Sequence, residues 1–237
     1  MRRFLILSIL ILSSSASLGQ EGSTIFGLQY KPIIPNRIIG TFEQDFSADQ
    51  LTAGIRQRLG HSYGALVRHG FTDMFALEVG INYNFRKFAL DWAVPDSGYA
   101  AESNVRVVSY EMPVMGLVFI QLGKQLWMDA AIGSSLTFFS SDVQVFEPIT
   151  VGEYFLQEAA YNSKVQGAFL ANLGFEYRTK KSGFFHFGAS YHLPYAPIMN
   201  WAMSYEHTSG QSLSVQRLRG SYLTLDLRYF FAENKDE

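Results

Sequence analysis

A period of two restricts this chain more than any other feature of its sequence. Across residues 161–178 the side chains separate into two sets. One holds Tyr161, Ser163, Val165, Gly167, Phe169, Ala171, Leu173, Phe175 and Tyr177, and the other holds Asn162, Lys164, Gln166, Ala168, Leu170, Asn172, Gly174, Glu176 and Arg178. A helix would spread both sets around its circumference, whereas a strand sends them to opposite faces. Residues 75–86 repeat the design, with Phe75, Leu77, Val79, Ile81, Tyr83 and Phe85 against Ala76, Glu78, Gly80, Asn82, Asn84 and Arg86. So do residues 185–195 and 221–231. Less regular strands fall near residues 24–33, 50–71, 104–121 and 126–140, which makes eight in all.

The connections differ in length. Thr72 with Asp73, residues 122–125 and residues 179–183 read as tight turns. The links near 34–49, 88–103, 141–160 and 196–212 read as long polar loops with scattered Pro and Gly. Short turns at one end and long loops at the other characterise outer-membrane barrels. The reading is an all-β chain forming an eight-stranded antiparallel up-and-down transmembrane β-barrel, with both termini at the short-turn end.

Composition helps decide which face points outward. Aromatics make up 15% of the chain and charged residues only 17%, below the quarter or so usual for soluble domains. No stretch reaches the roughly 20 apolar residues that a membrane helix needs, and several strands exceed the roughly 9–11 that cross a bilayer at a tilt. Tyr83, Phe85, Tyr177, Tyr195, Tyr229 and Phe231 cluster toward strand ends, as aromatic girdles do. The polar face is rich in Gly, Ala, Ser and Asn, which suits a narrow interior better than a soluble barrel's wall. The last strand ends on Tyr229, Phe230 and Phe231, similar to the C-terminal signal read by the outer-membrane assembly machinery. Tyr229 and Phe231 are its outward members.

At the amino terminus Arg2 and Arg3 precede a nine-residue apolar core, residues 4–12, and a run of small residues. Nine residues are too few to span a bilayer, so residues 1–19 read as a secretory signal and residues 20–237 as one barrel domain. Cleavage after Ala16 is the alternative. A net charge of −2 with no basic stripe argues against nucleic acid. The absence of cysteine excludes disulfides, thiol catalysis and a lipidated anchor.

Four segments resemble a family of Bacteroidota outer-membrane barrels, the PorT-like barrels: FGLQYKPIIP at 26–35, GFTDMFALEVG at 70–80, SYEMPV at 109–114 and NLGFEYR at 172–178. These motifs record strands and turns and carry over no catalytic residue. The resemblance implies an outer-membrane barrel and, through the name-giving member, an association with protein secretion.

Little in the sequence points to catalysis, and no metal or cofactor is expected. His186 and His192 share a strand face six residues apart, about 20 Å, too far to bind one metal. Ser190 and His192 are neighbours on that face, an arrangement found in some membrane lipid hydrolases, but no acid or oxyanion hole is identifiable. The inward charges are more informative. Arg68, Arg86, Lys164, Arg178 and Arg228 balance Glu78, Glu111, Asp129, Glu176 and Asp226. Charges in a narrow lumen are costly unless paired, so these ten predict a salt-bridged plug in preference to a selectivity filter.

The expected role is structural or interactive and non-enzymatic, in its sharper version as an accessory of a secretion or surface-assembly system. The expected partners are outer-membrane lipids, the assembly machinery, and proteins met by the loops or periplasmic turns. A narrow pore or small-ligand or lipid carrier is the alternative, and a lipid hydrolase the third.

Overall fold

Strand pairing carries the alternation into three dimensions. The computed structural model describes residues 22–35, 43–48, 51–94, 98–140, 143–150, 153–179, 181–207 and 210–232. The proposed signal segment lies outside the described residues. Thirteen strands follow one another: β1 (Thr24–Pro35), β2 (Glu43–Ala48), β3 (Leu51–Gly70), β4 (Phe75–Val94), β5 (Tyr99–Gln121), β6 (Leu126–Phe139), β7 (Val143–Thr150), β8 (Glu153–Tyr161), β9 (Val165–Arg178), β10 (Phe184–Pro194), β11 (Met199–His207), β12 (Gly210–Leu218) and β13 (Tyr222–Phe230).

Eight of these close a ring. The order is β1, β3, β4, β5, β6, β9, β10, β13, each antiparallel to the next, and β1 pairs with both β13 and β3. Leu28, for example, faces Tyr229 on one side and Ala65 on the other. Closure leaves this part of the sheet without an edge, which is why a β-structure can stand in hydrocarbon. The fold is therefore an eight-stranded antiparallel up-and-down barrel, as the alternation predicts. Tight turns join β3 to β4, β5 to β6 and β9 to β10 at one end. In the last of these, Gly183 adopts φ +80°, a left-handed conformation that a side chain would strain.

The other end differs from expectation. β3 and β4 run for 20 residues each and β5 for 23. The segment 88–103 is thus mostly strand and not a long loop. Residues 141–160 and 196–212 also hold strands, and β7, β8, β11 and β12 form a second sheet in the order β12-β11-β8-β7. The single strand expected over 161–178 is interrupted at residues 162–164, between β8 and β9. Alternation continues through that break by coincidence. β6 ends its pairing with β9 at Phe138 opposite Val165, and a local pattern cannot reveal where the partner stops.

One inversion explains the long strands. On β4 the outward residues from Phe75 to Phe85 are apolar, and the inward ones include Glu78, Asn82, Asn84 and Arg86. Beyond Arg86 the faces exchange character: Phe88, Leu90, Trp92 and Val94 turn inward and are buried, while Lys87 and Asp91 face out. β5 changes in the same way, from inward Glu111 and Ser109 to inward Val107 and Val105, with Arg106 outward. The outward apolar row from Phe75 to Phe85 covers ten steps. At about 3.4 Å each and a tilt of about 40–45°, it rises about 25 Å, the height of a barrel's lipid-facing band. Below the inversion the outer wall is apolar and the interior polar, and above it the two exchange.

Above the inversion lies an apolar core. Ile55, Phe88, Leu90, Trp92 and Val107 from the long strands pack with Phe155, Met199, Trp201, Met203 and Leu218 from the second sheet. The Trp92 and Phe155 rings stack at 4.0 Å. Each large side chain so buried contributes about 1.5–3 kcal/mol. The extension is thus a cap with an apolar interior, beside which an open pocket of about 730 Å³ is lined by Ala53, Trp92, Ala101 and Glu102.

Candidate functional site

The lumen below the cap gathers most of the inward charges, and it does so through strand register. Arg68 lies directly opposite Glu78 across the β3–β4 hairpin. Its Nε and Nη2 donate to Glu78 Oε2 at 3.1 and 3.0 Å, and its Nη1 donates to Glu176 on β9. Arg228 on β13 donates from Nη1 to Glu78 Oε1 and from Nη2 to Asp226 Oδ2, both at 2.6 Å. Arg178 donates from Nε to the second oxygen of Glu176 at 2.7 Å. Four strands are thereby tied across the lumen by one chain of ions, Asp226–Arg228–Glu78–Arg68–Glu176–Arg178.

Neutral donors and rings complete the shells of these ions. Asp226 accepts hydrogen bonds from Ser190 Oγ at 2.5 Å, Thr224 Oγ1 at 2.6 Å and Asn172 Nδ2 at 3.0 Å. The Arg68 guanidinium lies 3.8 Å from the Phe230 ring centroid, and that of Arg178 lies 4.4 Å from the Trp127 ring centroid and 4.7 Å from that of Phe119. A carboxylate in a dehydrated lumen is stable only with this kind of full complement of donors.

Two further groups stand apart from the chain. Asp129 meets His186 Nε2 at 3.0 Å from Oδ2. Gly174 and Gly188, opposite each other on β9 and β10, make room for that imidazole, since a Cβ at either would collide with it. Glu111 meets His192 Nε2 at 2.9 Å and accepts from Asn82 and Asn84 at 3.2 and 3.3 Å. Both histidines are therefore internally paired, and among the described residues no three potential ligands come together to hold a metal.

Two expected members behave differently. Lys164 is exposed in the break between β8 and β9 and does not face the lumen. The continuous strand assumed for 161–178 placed it inward, and the interruption moves it out. Its place is taken by Lys31, whose Nζ lies 3.5 Å from Asp226. Parity along β1, counted from outward Leu28 and Tyr30, carries the signal that would have found it. Arg86 is buried, and among the described residues no carboxylate forms an ion pair with it. It donates to Gln57 Oε1 at 3.2 Å and to the Gly220 carbonyl at 2.8 Å, and its guanidinium stands 4.7 Å from the Tyr222 ring centroid. It marks the boundary between the polar lumen and the apolar cap.

Ser190 and His192 share the inward face of β10 but turn to different acids. Ser190 donates to Asp226, while His192 meets Glu111 and stacks on Tyr222 at 4.3 Å. The serine's partner is thus a carboxylate and not an imidazole that could take its proton. The lumen cavity that both line is about 30 Å³, and a second one beside Arg86 is about 10 Å³. These volumes hold a water or two and no lipid or sugar.

Tyr229 and Phe231 lie on the outer wall at the short-turn end. Tyr229 stands 5.1 Å from Phe185 and 5.2 Å from Phe231, ring centroid to ring centroid, and its hydroxyl donates to the Ser182 carbonyl at 3.0 Å. The Phe231 backbone N–H donates to the Phe26 carbonyl on the neighbouring strand.

A closed eight-stranded barrel with an apolar outer wall and a polar, filled interior defines the class of outer-membrane-type β-barrels. Among solved structures it is similar to the outer membrane protein OprG from Pseudomonas aeruginosa, at a TM-score of 0.53 and 11% identity, covering 90% of this chain and 98% of that one. An outer membrane channel from Pseudomonas putida F1 aligns over 90% of this chain and 96% of its own at 10% identity, but its TM-score of 0.24 carries no argument. No protein-family model matches the chain, and no curated protein does.

Proposed function

We propose that this protein is a plugged outer-membrane barrel, exported by a cleaved signal, that anchors a rigid β-built cap at the cell surface and presents it to a partner. The filled interior carries this reading. The ion chain, with the His186–Asp129 pair at its level, lies below the His192–Glu111 pair and the apolar cap. The lumen cavities are small, about 90 Å³ beside Arg68 and Arg178, about 30 Å³ at Ser190 and His192 and about 10 Å³ beside Arg86. A pore needs a continuous wet path, and a carrier needs a chamber. An anchor needs neither, and it gains rigidity from the packing. The outward apolar band of about 25 Å supports the membrane setting. The sequence resemblance to PorT-like barrels supports the sharper version, an accessory of a secretion or surface-assembly system.

Two measurements test it. The protein is expected to fractionate with the outer membrane, to shift on gels only after boiling, and to give no conductance steps in planar bilayers. Discrete steps from the wild-type barrel would overturn the plugged reading. Photo-crosslinking residues placed at Leu213 and Val215, apolar yet exposed on β12 of the cap, should capture a defined protein in intact cells. Failure at these and all other cap positions would remove the interaction role.

A further inference from the structure

Where the outer wall leaves its apolar band, three cations stand in one row. Arg58 on β3 lies opposite Lys87 on β4, and Lys87 lies opposite Arg106 on β5. All three are exposed. Residues directly opposite in antiparallel strands have Cβ atoms about 4.5–5.5 Å apart, and like charges there repel. Acids answer only part of this charge. Arg58 Nη2 meets Glu102 Oε1 at 2.8 Å, and Asp91 is engaged by Arg56. Lys87 and Arg106 have no carboxylate partner among the described residues. The Lys87 ammonium stands 5.5 Å from the Phe85 ring centroid. Two facing cations with no acid among the described residues form a ready site for an external anion.

Their height says which anion. The next outward residues toward the membrane are Phe85 and Val108, followed by Tyr83 and Tyr110, whose rings meet edge to face at 5.5 Å. The cations therefore stand at headgroup level, directly above the aromatic girdle, on the side of the cap. Two strand spacings give the row a width of about 10 Å. The described exposed lysines at the other end, Lys124 and Lys181, sit in separate turns.

We propose that Lys87 and Arg106, with Arg58 beside them, bind the phosphates of a phosphorylated glycolipid in the outer leaflet. This rests on the reading of the protein as an outer-membrane barrel with its cap outside. The guanidinium of Arg106 offers a planar pair of donors to a phosphate, and Lys87 offers a point charge. The same molecule's acyl chains would lie on the apolar wall below. A lipid thus satisfies both features at once, which a free anion does not.

The test uses the full barrel refolded in neutral detergent, after insertion into vesicles and the heat-dependent gel shift have been checked for each variant. A wild type that fails those checks refutes the barrel reading itself. Binding of bisphosphorylated lipid A, its dephosphorylated form, phosphatidylglycerol and inorganic phosphate is then followed by native mass spectrometry. Lys87→Gln with Arg106→Gln should weaken the phosphorylated glycolipid about 30-fold, the effect of two interfacial cations. Lys124→Gln with Lys181→Gln should leave it unchanged, and the dephosphorylated lipid should bind wild type and variant equally weakly. The proposal is overturned by unchanged binding in the Lys87/Arg106 variant. It is overturned equally if the dephosphorylated lipid, phosphatidylglycerol or inorganic phosphate binds wild type as tightly as the phosphorylated glycolipid.

Discussion

Replacing Glu78 by Gln removes the centre of the ion chain, and the structure says what remains. Glu78 accepts two hydrogen bonds from Arg68 and one from Arg228, and its side chain is 7% exposed. Without its charge each arginine keeps one acid, Glu176 for Arg68 and Asp226 for Arg228. Breaking a buried pair costs about 3–5 kcal/mol, and these surviving partners put Glu78→Gln near the lower bound, about 3 kcal/mol. Arg68→Gln should cost a similar amount, because Glu78 then keeps Arg228 and Glu176 keeps Arg178. The double variant deletes one charge of each sign and strands neither. It should therefore cost about 4 kcal/mol, a coupling of about 2 kcal/mol within the range of contacting residues. The assay is urea unfolding in lipid vesicles, reading the folded fraction by its gel mobility and comparing midpoints and slopes. Additivity within about 0.5 kcal/mol would mean that the two charges do not interact, and it would favour a hydrated, open lumen.

Other consequences are as direct. Trp92→Ala empties a stacked site in the cap and should cost about 3–5 kcal/mol there. Limited proteolysis should then cut the cap while the barrel keeps its heat-dependent gel shift. Tyr229→Ser with Phe231→Ser should leave export intact and sharply lower the amount of inserted barrel, and wild-type levels of folded protein would exclude the terminal strand as an assembly signal. Ser190→Ala removes a donor to Asp226 and should cost about 1–3 kcal/mol. It should not change the acylation of lipid A or phospholipid, whereas a deacylation lost with this hydroxyl would establish the hydrolase instead.

The likeness to OprG lies in the fold alone, and the lumen ions, the cap core and the cationic row belong to this chain's own residues. The ion chain, the cap core and the cationic row all follow from register and parity. They can be tested one at a time because they occupy different heights on the barrel.

How far the sequence alone reached can be judged from particular residues. Strand parity is a local property with a period of two, so residues 75–86 and 221–231 by themselves determined which side chains share a face. Together with the six other alternating segments and the tight turns, they predicted an eight-stranded antiparallel barrel. The Arg68–Glu78 pair was legible for the same reason, since a short hairpin fixes its own register. What depends on partners far along the chain was not. The bond from Arg228 to Glu78 spans 150 residues, and that from Arg68 to Glu176 spans 108. Only closure of the ring brings these groups to one height. Lys164 alternates correctly in sequence yet lies outside the lumen, because a strand ends where its neighbour stops pairing. The residues of the cap core also alternate, Phe88, Leu90, Trp92 and Val94 among them. Whether an apolar row lies on the outer wall or in the interior is decided only once the ring has closed and the second sheet has packed on its extension.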